Sequence, residues 1–205
     1  MLGSLGEAGE RRIGILGGSF DPIHIGHLIL AESALEAFEL EQVYFMPCAD
    51  QPLKQRGAHA DGDMRRRMVE TAIEGNPRFE ILAIELERGG ASYTVDSLEE
   101  IRRTFPDCTA YFLIGVDKLP ELVQWKDIAR VVGLCRFGVF PRPGEALPGA
   151  AELPSGVMIE YAPYGRQIEI SSSEIRRRVA EGQSIRYLVP DGVAMIIAER
   201  HLYGA

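Results

Sequence analysis

The chain has 205 residues, of which 46% are hydrophobic and 25% charged, and a net charge of −8. That length suits one ordinary domain and is short for two, and the composition is that of a soluble globular protein. The acidic balance argues against a surface that coats a nucleic-acid polymer, and no apolar stretch approaches the roughly 20 residues of a membrane span, so no membrane partner is expected. Met1 to Glu10 is glycine-rich and acidic without an apolar run. This argues against a secretory signal and predicts a loose tail over residues 1–11 ahead of a single domain over 12–205. Cys48, Cys108 and Cys135 are odd in number, far apart and in no CxxC spacing. Free thiols and a cytoplasmic location follow, with no structural zinc site.

Arg12 to Gly17 predicts a strand and Ile25 to Glu39 a helix. Gln42 to Met46, β-rich in Val43, Tyr44 and Phe45, predicts a strand closed by Pro47. Cys48 to Gly62 predicts a loop. Its His59, Asp61 and Asp63 are metal-ligand types, but they suit a polar loop in which Asp63 caps the next helix. That helix runs from about Met64 to Gly75, with Met68, Ala72 and Ile73 on one face. Phe79 to Glu85 alternates and predicts a strand. Thr94 to Phe105 predicts a helix ended by Pro106, and the apolar Ala110 to Ile114 a central buried strand. Leu119 to Val132 is helical in pattern, broken early by Pro120.

Phe137 to Phe140 predicts a strand, residues 145–156 a loop, and Val157 to Tyr161 another strand. Ser171 to Glu181 predicts a helix with the capping pattern Ser171-x-x-Glu174 and a stop at Gly182; a last helix spans Asp191 to His201. There is no internal repeat. Strands alternating with helices predict an α/β fold: a Rossmann-like doubly wound parallel sheet with helices on both faces and a C-terminal helical segment. In such sheets ligands bind at the carboxyl ends of strands, near a switch in strand order.

Gly17-Gly18-Ser19-Phe20-Asp21-Pro22-Ile23-His24-Ile25-Gly26-His27 lies between the first strand and the first helix. The turn and the helix N-terminus aim backbone N–H groups and partial positive charge at one spot, which suits an anion such as phosphate. It is neither GxGxxG nor GxxxxGK[ST], so the simple dinucleotide and P-loop fingerprints are missing. His24 and His27 stand at i and i+3 on one side of the helix start, and Gly26 between them leaves room for close approach. From the residues alone, a ligand-binding pair and a structural histidine plus a cap stand even. Arg65-Arg66-Arg67 and Arg176-Arg177-Arg178 suit solvated helix faces, with room for a single arginine to face a phosphate.

GGSFDPIHIGH over Gly17 to His27 resembles the signature of the nucleotidyltransferase superfamily with an HxGH motif, and more narrowly that of bacterial nicotinate-mononucleotide adenylyltransferases. Five further stretches resemble that family in order. They are Pro47 to Lys54 (PxxxPPHK), Arg65-x-x-Met68, Ser92-Tyr93-Thr94-Val95-Asp96 (SYTVDT), Phe112 to Asp117 with Trp125 beyond (FIIGAD…W), and Ile170 to Arg176 (ISSTxIR). The resemblance covers about Arg12 to Tyr203. It implies transfer of AMP from ATP to nicotinate mononucleotide, giving nicotinate adenine dinucleotide and pyrophosphate. A phosphate monoester is already an adequate nucleophile, so the protein has to hold two anions in line and stabilise charge; no strong base or covalent intermediate is required.

Carried over by resemblance, His24, His27 and Arg176 are the catalytic residues, contacting the ATP phosphates. Gly17, Gly18, Ser19 and Phe20 line the ATP site, with Ile170, Ser171 and Ser173 at the β,γ-phosphates and Gly115 and Asp117 at ribose hydroxyls. Ser19, Lys54, Thr94, Asp117 and Trp125 form the mononucleotide site, with Trp125 stacking on the pyridine ring and amides near Thr94 receiving its carboxylate. Mg²⁺ is expected to bind mainly through ATP phosphates and water, without a protein cage. Leu53 departs from the family's histidine, Ser173 from its threonine, Val116 from its alanine and Ser97 from its threonine. A different acceptor (nicotinamide mononucleotide or phosphopantetheine) stays open, as does a non-catalytic nucleotide sensor on the same fold. The sequence also leaves a homo-oligomer open.

Overall fold

The computed structural model describes residues 11–49, 58–141, 153–163 and 169–204. Six strands form one all-parallel sheet: β1 (Arg11–Gly18), β2 (Gln42–Pro47), β3 (Phe79–Ile81), β4 (Cys108–Gly115), β5 (Arg136–Phe140) and β6 (Ile159–Tyr161), in the order β3-β2-β1-β4-β5-β6. The order reverses between β1 and β4, so a crevice opens at their carboxyl ends. Helices α1 (Ile25–Ala37), α2 (Gly62–Ile73), α3 (Ile84–Arg88), α4 (Thr94–Thr104), α5 (Ile128–Val131), α6 (Ser172–Ala180) and α7 (Asp191–Glu199) surround the sheet. This is the Rossmann-like architecture that the alternating pattern predicts.

The period of two along each strand separates the core into two layers. Val43, Phe45, Tyr111 and Leu113 pack on one side with Ala34, Leu35, Met68, Ile175 and Val193 from α1, α2, α6 and α7. Ile13, Ile15, Tyr44, Met46, Phe112, Ile114 and Phe137 pack on the other with Val95, Leu98, Ile101, Leu119 and Val131. At Gly14 a Cβ would stand 2.7 Å from Leu40 Cδ1, so a side chain there would displace the first layer.

Three local expectations are corrected. Phe79 to Glu85 is not one strand: pairing ends at Ile81 and the chain turns into α3. Buried Glu85 accepts from Ser97 Oγ at 2.6 Å, and Arg88 donates to the same oxygen at 3.0 Å. A helical turn places residues three apart on one side and lets both reach Ser97; an extended strand does not. Leu119 to Val132 is not one helix. It is a 3-10 segment over Val116–Gln124, with Pro120 inside, followed by α5. Proline has no N–H to donate and crowds the carbonyl four residues back, which disfavours a continuous α-helix. The cap of α2 is Asp61, whose Oδ1 accepts from Met64 N at 2.7 Å, while Asp63 lies in the first turn.

Candidate functional site

β1 ends at Gly17 and Gly18, and β4 ends at Gly115, two neighbouring strand ends at the order reversal. Gly17 also brings the chain close to the second core layer, since a Cβ there would meet Phe112 Cζ at 3.2 Å. After Gly18 the chain turns through Ser19 and Phe20. Phe20 adopts φ 47°, a left-handed conformation that costs a non-glycine residue about 1 kcal/mol. Its ring is fully buried, edge-on to His27 at 5.0 Å and tilted on Phe45 at 5.9 Å. The ring is therefore wall, and its backbone is what remains to face the crevice.

His24 is the N-cap of α1 in extended backbone (φ −144°), and its ring stacks on His27 with centroids 3.6 Å apart. The His24 N–H donates to His27 Nδ1 at 3.2 Å. That bond makes Nδ1 the acceptor and leaves the proton of a neutral His27 on Nε2. His24 Nδ1 is buried without a hydrogen-bond partner among the described residues. Gly26 permits this packing, because a Cβ would lie 3.1 Å from His24 Nδ1. Burial pulls the His24 imidazole down to about 4. Burial and the neighbouring His24 pull His27 well below its usual value. Both rings are neutral at pH 7 and serve as hydrogen-bonding groups there.

α6 docks onto this turn from the far end of the chain. Its N-cap Ser171 accepts from Glu174 N at 3.2 Å, as the capping pattern predicts. Ser172 Oγ donates to Pro22 O at 2.9 Å, and Arg176 Nη1 donates to Asp21 O at 2.7 Å. Arg176 Nη2 also donates to Ser173 Oγ at 3.1 Å. Ile170 lies alongside Gly26, its Cβ 3.9 Å from where a glycine Cβ would stand. The two helix N-termini of α1 and α6 thus meet at one crevice. Arg177 pairs with Glu181, and Arg178 with Glu174, on the outer face of α6.

The proposed mononucleotide residues come from the opposite layer. Thr94 opens α4, and the preceding Ser92 Oγ accepts from Ala49 N at 2.9 Å, which ties this segment to the exit of β2. Half-buried Trp125 ends the 3-10 segment edge-on to Phe112 at 5.6 Å and to Phe137 at 6.1 Å. Phe112 therefore stands between Trp125 and Gly17. Lys126 joins the two segments, 3.4 Å from Asp96 and 4.2 Å from the Tyr93 ring centroid. Asp117 lies in the first turn of the 3-10 segment, two residues past Gly115. Lys54 and Leu53 lie outside the described residues.

Two residues take parts that the sequence did not assign. Arg65 is buried and brackets backbone carbonyls of Ser19 (2.8 Å), Cys48 (2.7 Å), Ala60 (3.2 Å) and Ala49 (3.4 Å). It is a brace under the site. Asp21, inside the glycine–histidine stretch, is the acceptor for several segments at once. The signal for Arg65 was its place in a helix-start pattern; nothing in the run Arg65-Arg66-Arg67 separates it from half-buried Arg66 or exposed Arg67.

Among the described residues no group of three His, Cys, Asp or Glu could hold a metal ion. No helix among them is long and apolar enough to cross a membrane. A 390 Å³ cavity lined by Leu98, Phe105, Cys108, Gly133, Cys135 and Met158 lies at the amino ends of β4 and β5, the opposite end of the sheet from this crevice.

A family model described as cytidylyltransferase-like matches residues 15–178. A Geobacillus thermodenitrificans protein named "Probable nicotinate-nucleotide adenylyltransferase" is 45% identical over 194 residues, covering 95% of this chain and 87% of that protein. The chain belongs to the nicotinate-nucleotide adenylyltransferase family. A Gemmatimonas aurantiaca protein of the same name is 44% identical over 197 residues, covering 94% of this adenylyltransferase and 92% of its relative. The solved Plasmodium falciparum nicotinic acid mononucleotide adenylyltransferase complexed with NaAD superposes with a TM-score of 0.74 at 21% identity, over 94% of this adenylyltransferase and 97% of that chain. That match supports the fold.

Proposed function

We propose that this adenylyltransferase transfers AMP from ATP to nicotinate mononucleotide, releasing pyrophosphate and nicotinate adenine dinucleotide. The observation that carries the reading is the meeting of the α1 and α6 N-termini at the β1/β4 crevice, with Ser172 and Arg176 bonded directly to the turn that holds His24 and His27. Two such N-termini, an arginine and a glycine turn suit a triphosphate.

A phosphate oxygen of the mononucleotide forms a bond to the α-phosphorus, and the bond from that phosphorus to the β,γ-diphosphate breaks. The electron pair leaves with pyrophosphate. His27 offers Nε2–H to a non-bridging oxygen of the transferred group, and His24 lies stacked beside it. Arg176 and Ser173, with Ile170 and Ser171 at the entrance to α6, receive the leaving diphosphate. Gly17, Gly18 and the backbone of Ser19 and Phe20 cradle phosphate. Gly115 and Asp117 take ribose hydroxyls; Thr94, Trp125 and Lys54 take the acceptor. Mg²⁺ enters with the substrate as MgATP, bound mainly through the ATP phosphates and water. Cytoplasmic NAD synthesis is the setting this chemistry suits.

Pyrophosphate release with MgATP is measured with nicotinate mononucleotide and, in parallel, with nicotinamide mononucleotide and phosphopantetheine. The expected result is release with the nicotinate compound at a kcat/KM at least about tenfold above the others. Preference for another acceptor would reassign the ring pocket, and no release with any would leave a nucleotide sensor.

A further inference from the structure

Asp21 is 2% exposed, yet it carries a charge-bearing carboxylate. Its Oδ2 accepts from His59 N at 2.7 Å, and its Oδ1 accepts from Ala60 N at 3.1 Å and from Tyr203 Oη at 2.8 Å. Arg176 Nη1 stands 4.0 Å from Oδ2 while donating to Asp21's own carbonyl. His59 Nδ1 lies 3.4 Å from the same Oδ2. One side chain thus joins four pieces of chain: the glycine–histidine turn, the 58–60 segment, α6 and the stretch after α7. Burial pushes the carboxyl up, but the His59 amide, the Tyr203 hydroxyl, the Ala60 amide and Arg176 together hold it below the usual carboxylate range.

The residue type follows from what surrounds it. Three donors point at one small group, and a guanidinium stands 4.0 Å from it. An ionised carboxylate has two oxygens and four lone-pair sites, and so satisfies all of them. Asparagine keeps a single acceptor oxygen and turns an NH₂ group toward a donor. The charge matters for a second reason. Arg176 has two competing partners when nucleotide is present, the phosphates in front and Asp21 behind. The Asp21 carbonyl and Ser173 Oγ orient the guanidinium, and the fixed negative charge 4.0 Å away favours that placement before phosphate arrives, which lowers the ordering cost of binding.

We propose that Asp21 is a positioning residue for the adenylyl transfer: its buried carboxylate sets Arg176 against the glycine–histidine turn and locks that pair to the His59–Ala60 backbone. This rests on the reading of Arg176 as a phosphate ligand.

The test is a double-mutant cycle on Asp21→Asn and Arg176→Ala, read as the MgATP dissociation constant by calorimetry and as kcat/KM for MgATP. Asp21→Asn alone is expected to weaken MgATP binding and kcat/KM by about tenfold, and to add less than about twofold when Arg176 is already alanine. Asp21→Glu, which keeps the charge, is expected to recover part of the loss. Thermal unfolding run beside it separates lost fold from lost positioning, and should Asp21→Asn fail to fold, Asp21→Glu takes its place in the cycle. Equal costs in both backgrounds would overturn the proposal, as would wild-type kinetics and affinity in Asp21→Asn. The calorimetric arm contains no acceptor. A failure of the nicotinate assignment therefore shows in the acceptor panel, and a failure of the Asp21 proposal in the cycle.

Discussion

Two neutral histidines, His24 buried and His27 half-buried, make stability depend on pH in a defined window. The His24 imidazole lies at about 4 in the folded chain against an ordinary 6.5. Between those values the unfolded chain binds the proton and the folded chain does not, so stability rises with pH and falls as acid is added. For that pair of values, moving from pH 7.5 to pH 5 removes about 2 kcal/mol through His24 alone. Urea unfolding of the wild type and of His24→Asn at both pH values measures this. The carboxylates are common to both proteins and cancel; His27 keeps the larger part of its shift, from burial, in the variant and loses only the part due to His24, which adds to the wild-type excess. The wild type should lose about 2 kcal/mol more than the variant across the interval. Saturating MgATP should shrink that excess, because phosphate oxygens beside the rings favour the charged form. Equal losses in the two proteins would refute the reasoning, since they would mean that the His24 ring is protonated in the fold at no cost.

His27→Ala removes the Nε2–H donor and should lower turnover by about 10²-fold with unfolding midpoints little changed; unaltered turnover would make His27 structural. Arg65→Ala strips donors from four carbonyls and should cost about 3 kcal/mol or more in urea unfolding, and a loss under 1 kcal/mol would deny it the role of brace. Trp125→Ala should raise KM for the mononucleotide about tenfold and leave KM for MgATP within about twofold, measured by pyrophosphate release; equal shifts in both would place Trp125 in the core alone.

What the sequence made legible is what local chemistry determines. The apolar runs at β1, β2, β4 and β5 and the capping serine of α6 depend on neighbours within a few positions, and they stand where periodicity puts them. The glycine–histidine turn and Ile170 to Arg176, both singled out by the resemblance, meet in the fold. The misplaced elements depend on distant partners. Glu85 turns the chain into α3 because Ser97 is there to meet it, and nothing between Phe79 and Glu85 announces that. The Arg65 brace is invisible in a run of three arginines, because its acceptors are carbonyls, which every residue carries. Asp21 was in view but mute. Its role comes from Tyr203, 182 positions away.

The α6 contacts span 150 and 155 positions of chain. A growing polypeptide can therefore complete β1, the glycine turn and α1, and bury much of both layers around β4, before the α6 side chains that bond to the turn exist. Closing so long a loop comes late in folding. Nucleotide affinity should therefore return after the tryptophan environment does when the unfolded protein is diluted from urea, and a chain released before α6 is made should bind MgATP poorly however well its early strands have paired.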